Sequence, residues 1–287
     1  MNFKTVEFAI HAIADRVGLS VHGKIIPDTN GAFCEFIPVD GHPNETFVIR
    51  FRLGWRNAEA SFEAGGFAGP LIARMGRCNE EARQIFTVFA NGITSRKVKL
   101  LMRVNGAEIA ADQPTTWPQH WSQLELSLKR IPLTIELDNE AHLERLILDL
   151  VVPLFGMMAT LIGVEENQLA TTGETEGSAI QSMANHYERR KINREACIQL
   201  KGLICSVCGF DFAENYGHLG IGYVEIHHLK SIASLGSDYR INVATELEPL
   251  CANCHAMAHR EEPPGSIDRL KQIVEERRKV KLEYTLP

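Results

Sequence analysis

At 287 residues, with 45% apolar and 23% charged side chains, the chain suits two globular domains of ordinary size, each able to bury a core. Its net charge of −6 excludes a generic nucleic-acid coat protein, so charge has to be read locally. Residues 1–180 hold 16 Lys/Arg against 22 Asp/Glu, whereas residues 181–287 hold 14 of each.

Helical spacing of Phe3, Val6, Ala9, Ile10, Ile13 and Val17, stopped by Gly18, predicts a first helix. Strands are expected over 19–26, 32–39, 45–53 and 58–64; the third sets Phe47, Ile49, Phe51 and Leu53 against Arg50 and Arg52. The turns between them fall at 28–31, 40–43 and 54–57. Asn79 is placed to cap a helix running to about Ile93, and 97–104 and 124–128 read as further strands around a Pro- and Trp-containing loop at 112–121. A long helix is expected over 139–162, with Leu143, Leu146, Ile147, Leu150, Leu154, Met158 and Leu161 as its apolar stripe and Pro153 as a kink. That stripe suits either a core helix or a homodimer contact, made by this helix or by the domain around it. The apolar run it belongs to is long enough to cross a bilayer, but Asp149 in its middle would be costly there, so no membrane association is expected. Nor does a charged-then-apolar leader open the chain.

Residues 1–165 thus read as an α+β domain of mixed sheet plus helices, 166–180 as a polar linker, and 181–287 as a second domain. The second begins with a helix over 181–202 bearing Arg189, Arg190, Lys191, Arg194 and Lys201, a basic patch that suits phosphates or a solvated face. It ends with a helix capped by Ser266 and running to about Lys279, then a short edge strand over 281–286.

The chemistry lies between 205 and 259. Cys205-x2-Cys208 and Cys251-x2-Cys254 are 42 residues apart, and two such turns complete a tetrahedral S4 set, the usual closed geometry of structural Zn2+. Seven cysteines, an odd number with four in these pairs, fit a reduced cytoplasmic setting rather than a disulfide framework; Cys34, Cys78 and Cys197 read as small core residues. His255 and His259, four apart on a helix, project from one face and can grip one ion. Adjacent His227 and His228 in a strand point to opposite sides, so one can meet a metal while the other faces a substrate. His218 has no partner in sequence.

These motifs resemble those of the HNH endonuclease family, of the McrA-like kind with a ββα-metal fold. The likeness rests on Cys205-Ser-Val-Cys208-Gly, Val224-Glu-Ile-His-His-Leu229 and Pro249-Leu-Cys-Ala-Asn-Cys-His255 running to His259, with Tyr187-Glu-Arg-Arg and Ala196-Cys-Ile-Gln-Leu before them. It implies that His228 is the general base, that His227, His255 and His259 bind the catalytic ion, and that Glu225 orients His227 or assists the metal indirectly. Many family members place an Asn before the second knuckle, where it braces the loop carrying the base; here Glu246 stands there, with Asn242 four residues earlier.

The expected reaction is hydrolysis of a DNA phosphodiester. Neutral His228 takes a proton from water, and one divalent cation (Mg2+, Mn2+, Ni2+ or Zn2+) stabilises the scissile phosphate and the leaving 3′ oxygen. Phosphate contacts are expected from the basic patch together with Lys230, Arg240 and Arg260. The first domain would choose the target, such as a modified base, or sense a signal in restriction or phage defence; Trp55, Trp117 and Trp121 are its candidate stacking residues. A zinc-stapled DNA adaptor without catalysis is the alternative, although an adaptor needs only the cysteines.

Overall fold

Alternation decides the larger part of the chain. Phe47, Ile49 and Phe51 are buried while Arg50 and Arg52 lie on the other face, the pattern of a sheet covered on one side only. The computed structural model describes residues 3–28, 31–39, 44–131, 139–163, 191–230, 240–260 and 266–285. It is mixed α+β and divides into two units, Met1–Leu200 and Lys201–Pro287.

The first unit opens with helix α1 (Phe3–Arg16), followed by the antiparallel strands β1 (Val21–Asp28), β2 (Gly31–Pro38), β3 (Phe47–Leu53) and β4 (Ala58–Ala64). Helices α2 (Gly69–Gly76) and α3 (Glu80–Ser95) lead into β5 (Lys99–Val104), β6 (Ala107–Glu108) and β7 (Leu124–Arg130). The seven strands run β1-β2-β3-β4-β7-β5-β6, so β7 inserts between β4 and β5. Asn79 caps α3 as its sequence suggests, its side chain accepting from the Ala82 amide at 2.9 Å.

Asn139 caps α4 (Glu140–Leu146), which passes through a π-helical turn, Ile147–Val151, into α5 (Val152–Ile162). The wide turn sits just before Pro153, whose missing N–H and bulky ring the regular helix would not accommodate. Asp149, in the same turn, meets Arg130 at 2.8 Å and is thereby neutralised inside an apolar segment. Every residue from Val152 to Leu161 is buried, and Phe155 packs 6.0 Å from Phe47 of the sheet. The apolar stripe is therefore enclosed within its own unit, as the core-helix reading expects. The helix has the length and hydropathy to cross a membrane, yet 83% of that window is buried in the protein.

Helix α6 (191–201) belongs to the first unit as far as Leu200, so the division falls there and not in the 166–180 stretch. Its inner face carries buried Glu195, which pairs with Arg16 at 2.6 Å and accepts from Gln199 at 2.6 Å. Arg96, the C-cap residue of α3, reaches both Gln199 and the Ile198 carbonyl. Burial holds this guanidinium below its ordinary range, against the raising influence of Asp149 and Glu195. The proposed linker and the beginning of the 181–202 helix lie outside the described residues.

The second unit holds α7 (Phe212–Tyr216), β8 (Glu225–His228), α8 (Val243–Glu246), β9 (Leu247–Leu250), α9 (Ala252–Ala258) and α10 (Ile267–Thr285). Strands β8 and β9 form an antiparallel pair. Ser266 caps α10, accepting from the Arg269 amide at 3.2 Å. This helix continues through Thr285, which overturns the edge strand expected over 281–286. Lys281-Leu-Glu-Tyr alternates like a strand, but an established helix propagates through such a segment one hydrogen bond per residue.

Candidate metal centre

The first knuckle is a tight turn: the Cys205 amide donates to the Phe210 carbonyl and the Gly209 amide to the Cys205 carbonyl, both at 2.9 Å. Gly209 sits at φ +73°, a conformation in which a side chain would be strained. Ser206 fastens this turn to β9, its amide and its hydroxyl both donating to the Pro249 carbonyl. The second knuckle starts α9, where Cys251 is the N-cap residue and its sulfur accepts from the Cys254 amide. The donor atoms of Cys205, Cys208, Cys251 and Cys254 all lie within 4.8 Å of one another, a separation a single ion can bridge.

Electrostatics around the thiols are divided. Burial raises Cys205, but backbone amides and Cys208 more than offset it and bring it down to about 7. Burial pushes Cys208 and Cys254 up, Cys254 further because neighbouring thiols crowd it. Four sulfurs this close are compatible with a cation that would hold them as thiolates. Arg278 of α10 donates to the Cys208 carbonyl at 2.6 Å, while Ile267, Leu270 and Val274 of the same helix pack against the cysteine cluster.

The histidines form a second group. Ring centroids of His227, His255 and His259 are 4.8–5.3 Å apart, and one nitrogen from each falls within the same 4.8 Å limit. His227 is 1% exposed and its buried Nδ1 has no hydrogen-bond partner. Burial, followed by the neighbouring charges of His259, His255 and His228, holds it down to about 4, so it is a neutral imidazole at physiological pH. A buried neutral imidazole with an unpartnered nitrogen, converging with two other imidazoles, fits a divalent ion of borderline softness. His228, next along β8, is half-buried and stands outside this group.

Of the two roles expected for Glu225, its contacts fit the indirect one. Its Oε2 lies 2.5 Å from Nδ1 of His255, not against His227, and its Oε1 accepts from the Tyr223 hydroxyl at 3.3 Å. That contact leaves Nε2 of His255 for the cluster, the usual arrangement of a carboxylate fixing a metal-ligating histidine. Glu246 braces the end of the strand that carries His228, and Asn242 caps the helix that holds Glu246. Asn242 caps α8 by accepting from the Ala244 and Thr245 amides. Glu246 gives its carbonyl to the Leu229 amide and its carboxylate to Lys230 and to the Asn242 amide.

The basic candidates separate. Lys201 donates to the Leu247 carbonyl at 2.7 Å and to Glu248 at 2.6 Å, gripping β9 opposite the histidine pair. Lys191 donates to the Ala14 carbonyl, and Lys230 is engaged by Glu246. Arg194 is half-buried, Arg240 and Arg260 are exposed, and Arg189 and Arg190 lie outside the described residues. Three of the predicted phosphate contacts thus already serve the fold. Among the tryptophans, Trp117 and Trp121 are buried and donate to the Ala110 and Pro118 carbonyls; Trp55 is exposed.

No family model, curated protein or solved structure matches this chain. Its site has to be read from its own residues. Tyr223, Lys201 and Arg278 gained structural roles that sequence did not assign. Only Tyr223 carried a signal, its nearness to Glu225 two residues on.

Proposed function

We propose that the chain is a metal-dependent DNA endonuclease that hydrolyses phosphodiester bonds. Its second unit is stapled by Zn2+ on the four cysteines, and its first unit selects the target in restriction or phage defence. One observation carries the reading: buried His227, with an unpartnered nitrogen, converges with His255 and His259 while the adjacent His228 stays outside the ligand group. A non-catalytic adaptor would have no use for a second donor set.

His227, His255 and His259 would hold a divalent cation, which would supply Lewis-acid stabilisation to charge developing on a scissile phosphate. Glu225 fixes the His255 tautomer, and Tyr223 steadies Glu225. His228 acts as the general base, accepting the proton of the attacking water. Glu246, with Asn242 capping its helix, keeps the strand end behind it from shifting.

A supercoiled-plasmid nicking assay tests this with Mg2+, Mn2+, Ni2+ or Zn2+ added. Cleavage is expected to require the ion and to fall at least about 100-fold in His228→Ala, within the usual range for loss of a general base. Absence of cleavage with every ion refutes the enzyme and favours the adaptor. Cleavage indifferent to His228→Ala refutes the mechanism.

A further inference from the structure

The open face of the first unit's sheet carries a feature that neither the metal centre nor its chemistry uses. Cross-strand register places Arg52 of β3 opposite Glu59 of β4, Glu59 opposite Lys129 of β7, and Lys129 opposite Lys99 of β5. Directly opposed residues share a face, so these four form one row across the sheet, on the side away from Phe51, Ala60 and Leu128. Lys129 takes Glu59 at 2.9 Å. Arg52 and Lys99 are exposed and have no carboxylate partner among the described residues, and Arg52 lies over the Phe33 ring at 4.6 Å. Beside this row is the β3–β4 turn, closed by the Gly54 amide on the Asn57 carbonyl, with Trp55 and Arg56 at its tip. Trp55 is 93% exposed, against 5% and 4% for Trp117 and Trp121.

We infer that this end of the sheet is a binding site for single-stranded or locally unpaired DNA, in which Trp55 stacks on an extruded base and Arg52, Arg56 and Lys99 contact the flanking phosphates. The cationic row stands against the overall acidity of residues 1–180, so it is a local device and not a general surface property. Aromatic stacking next to a positive strip is the combination that holds single strands with little regard to sequence. A paired base keeps its faces covered, so an unstacked one is preferred. The identity of the polyanion rests on the DNA reading above; the site itself rests on the sheet.

The experiment measures anisotropy of short fluorescein-labelled oligonucleotides titrated with the full chain, without added divalent cation. Single strands and duplexes with one mismatch are expected to bind more tightly than a fully paired duplex, and binding quenches Trp55 emission. Trp55→Ala is expected to weaken single-strand binding by about 5- to 150-fold, the range for one lost stacking contact, while Trp55→Phe recovers most of it. The Arg52→Ala/Arg56→Ala pair lowers the salt dependence by roughly one to two in slope. All three side chains lie at the surface, so the variants leave folding intact. Unchanged affinity in Trp55→Ala, or equal affinity for the fully paired duplex, overturns the inference. Binding is read without cleavage, so its failure leaves the nuclease reading standing, and failure of cleavage leaves this one standing.

Discussion

His227 makes the second unit sensitive to acid in a calculable way. Its imidazole is held at about 4 in the folded chain, against an ordinary value of 6.5. Above pH 6.5 neither the folded nor the unfolded state binds this proton, and its contribution to stability is complete. As pH falls below 6.5 the unfolded chain takes up a proton that the folded chain refuses, so stability is lost progressively until about pH 4. At 1.36 kcal/mol per pH unit, the loss is about 2 kcal/mol at pH 5 and about 3 kcal/mol once both states are protonated. The comparison is between the wild-type chain and His227→Phe, which keeps a ring but cannot titrate. Amide exchange at β8 and β9, without added divalent cation, reports the opening free energy of this unit at pH 7.5 and pH 5. Wild type is expected to lose about 2 kcal/mol more than the variant. Parallel pH profiles refute the reasoning, as does a His227 ring titration by NMR near its ordinary value.

Two further outcomes follow from the same geometry. Glu225→Leu removes the carboxylate that fixes His255, and ion affinity at the histidine group is expected to fall about 10- to 100-fold by calorimetry, the usual effect of losing such a partner. Affinity unchanged in that variant would mean that His255 is oriented by something else. Gly92→Ala tests how α6 is held in the first unit. A Cβ there would stand 2.3 Å from the Gln199 carbonyl oxygen and 2.7 Å from the Leu200 nitrogen, both backbone atoms. Alanine would gain about 1 kcal/mol in helix propensity, but overpacking costs about 1–3 kcal/mol, and backbone on both sides puts this site at the upper end. Net destabilisation of about 1–2 kcal/mol in denaturant melts is expected, and a stabilised variant would contradict the close crossing.

What could be read from sequence was short-range. The C-x2-C pairs, the i,i+4 histidines, the Asn79 and Ser266 caps and the alternation over 47–53 each express a constraint within one turn or one strand, and each appears where its spacing placed it. The misses were long-range. Glu225 shares a strand with His227, yet its partner His255 comes from α9, thirty residues on. The segment 191–200 leads straight to a knuckle, but Glu195 and Gln199 commit it to Arg16 and Arg96 far back in the chain. Trp117 and Trp121 are buried, as aromatics more often are, but the partners that bury them, Phe86 and Gly76, come from other segments. The strand reading of 281–286 failed for a different reason, since α10 was already nucleated upstream of it.

One short helix explains why the two donor sets occur together. Helix α9 has seven residues, well below the length at which an isolated helix is stable, so it must be held from outside. Cys251 caps it, and Cys254 and Ala258 lie buried in the cysteine cluster with Leu250 and Ile267. Successive residues turn by about 100° around a helix, so His255 and His259 follow Cys254 and Ala258 onto the adjoining face, where His227 meets them. The cysteine cluster therefore sets the rotation of α9 and, through it, the separation of the histidines. The dependence runs one way: His259 is an exposed C-cap residue and His255 is half-buried, so neither contributes core packing, whereas Cys251 and Cys254 are both buried. The scaffold can stand without an ion on the histidines, but an ion there would depend on the scaffold. That asymmetry is what the proposed division into a structural and a reactive site requires.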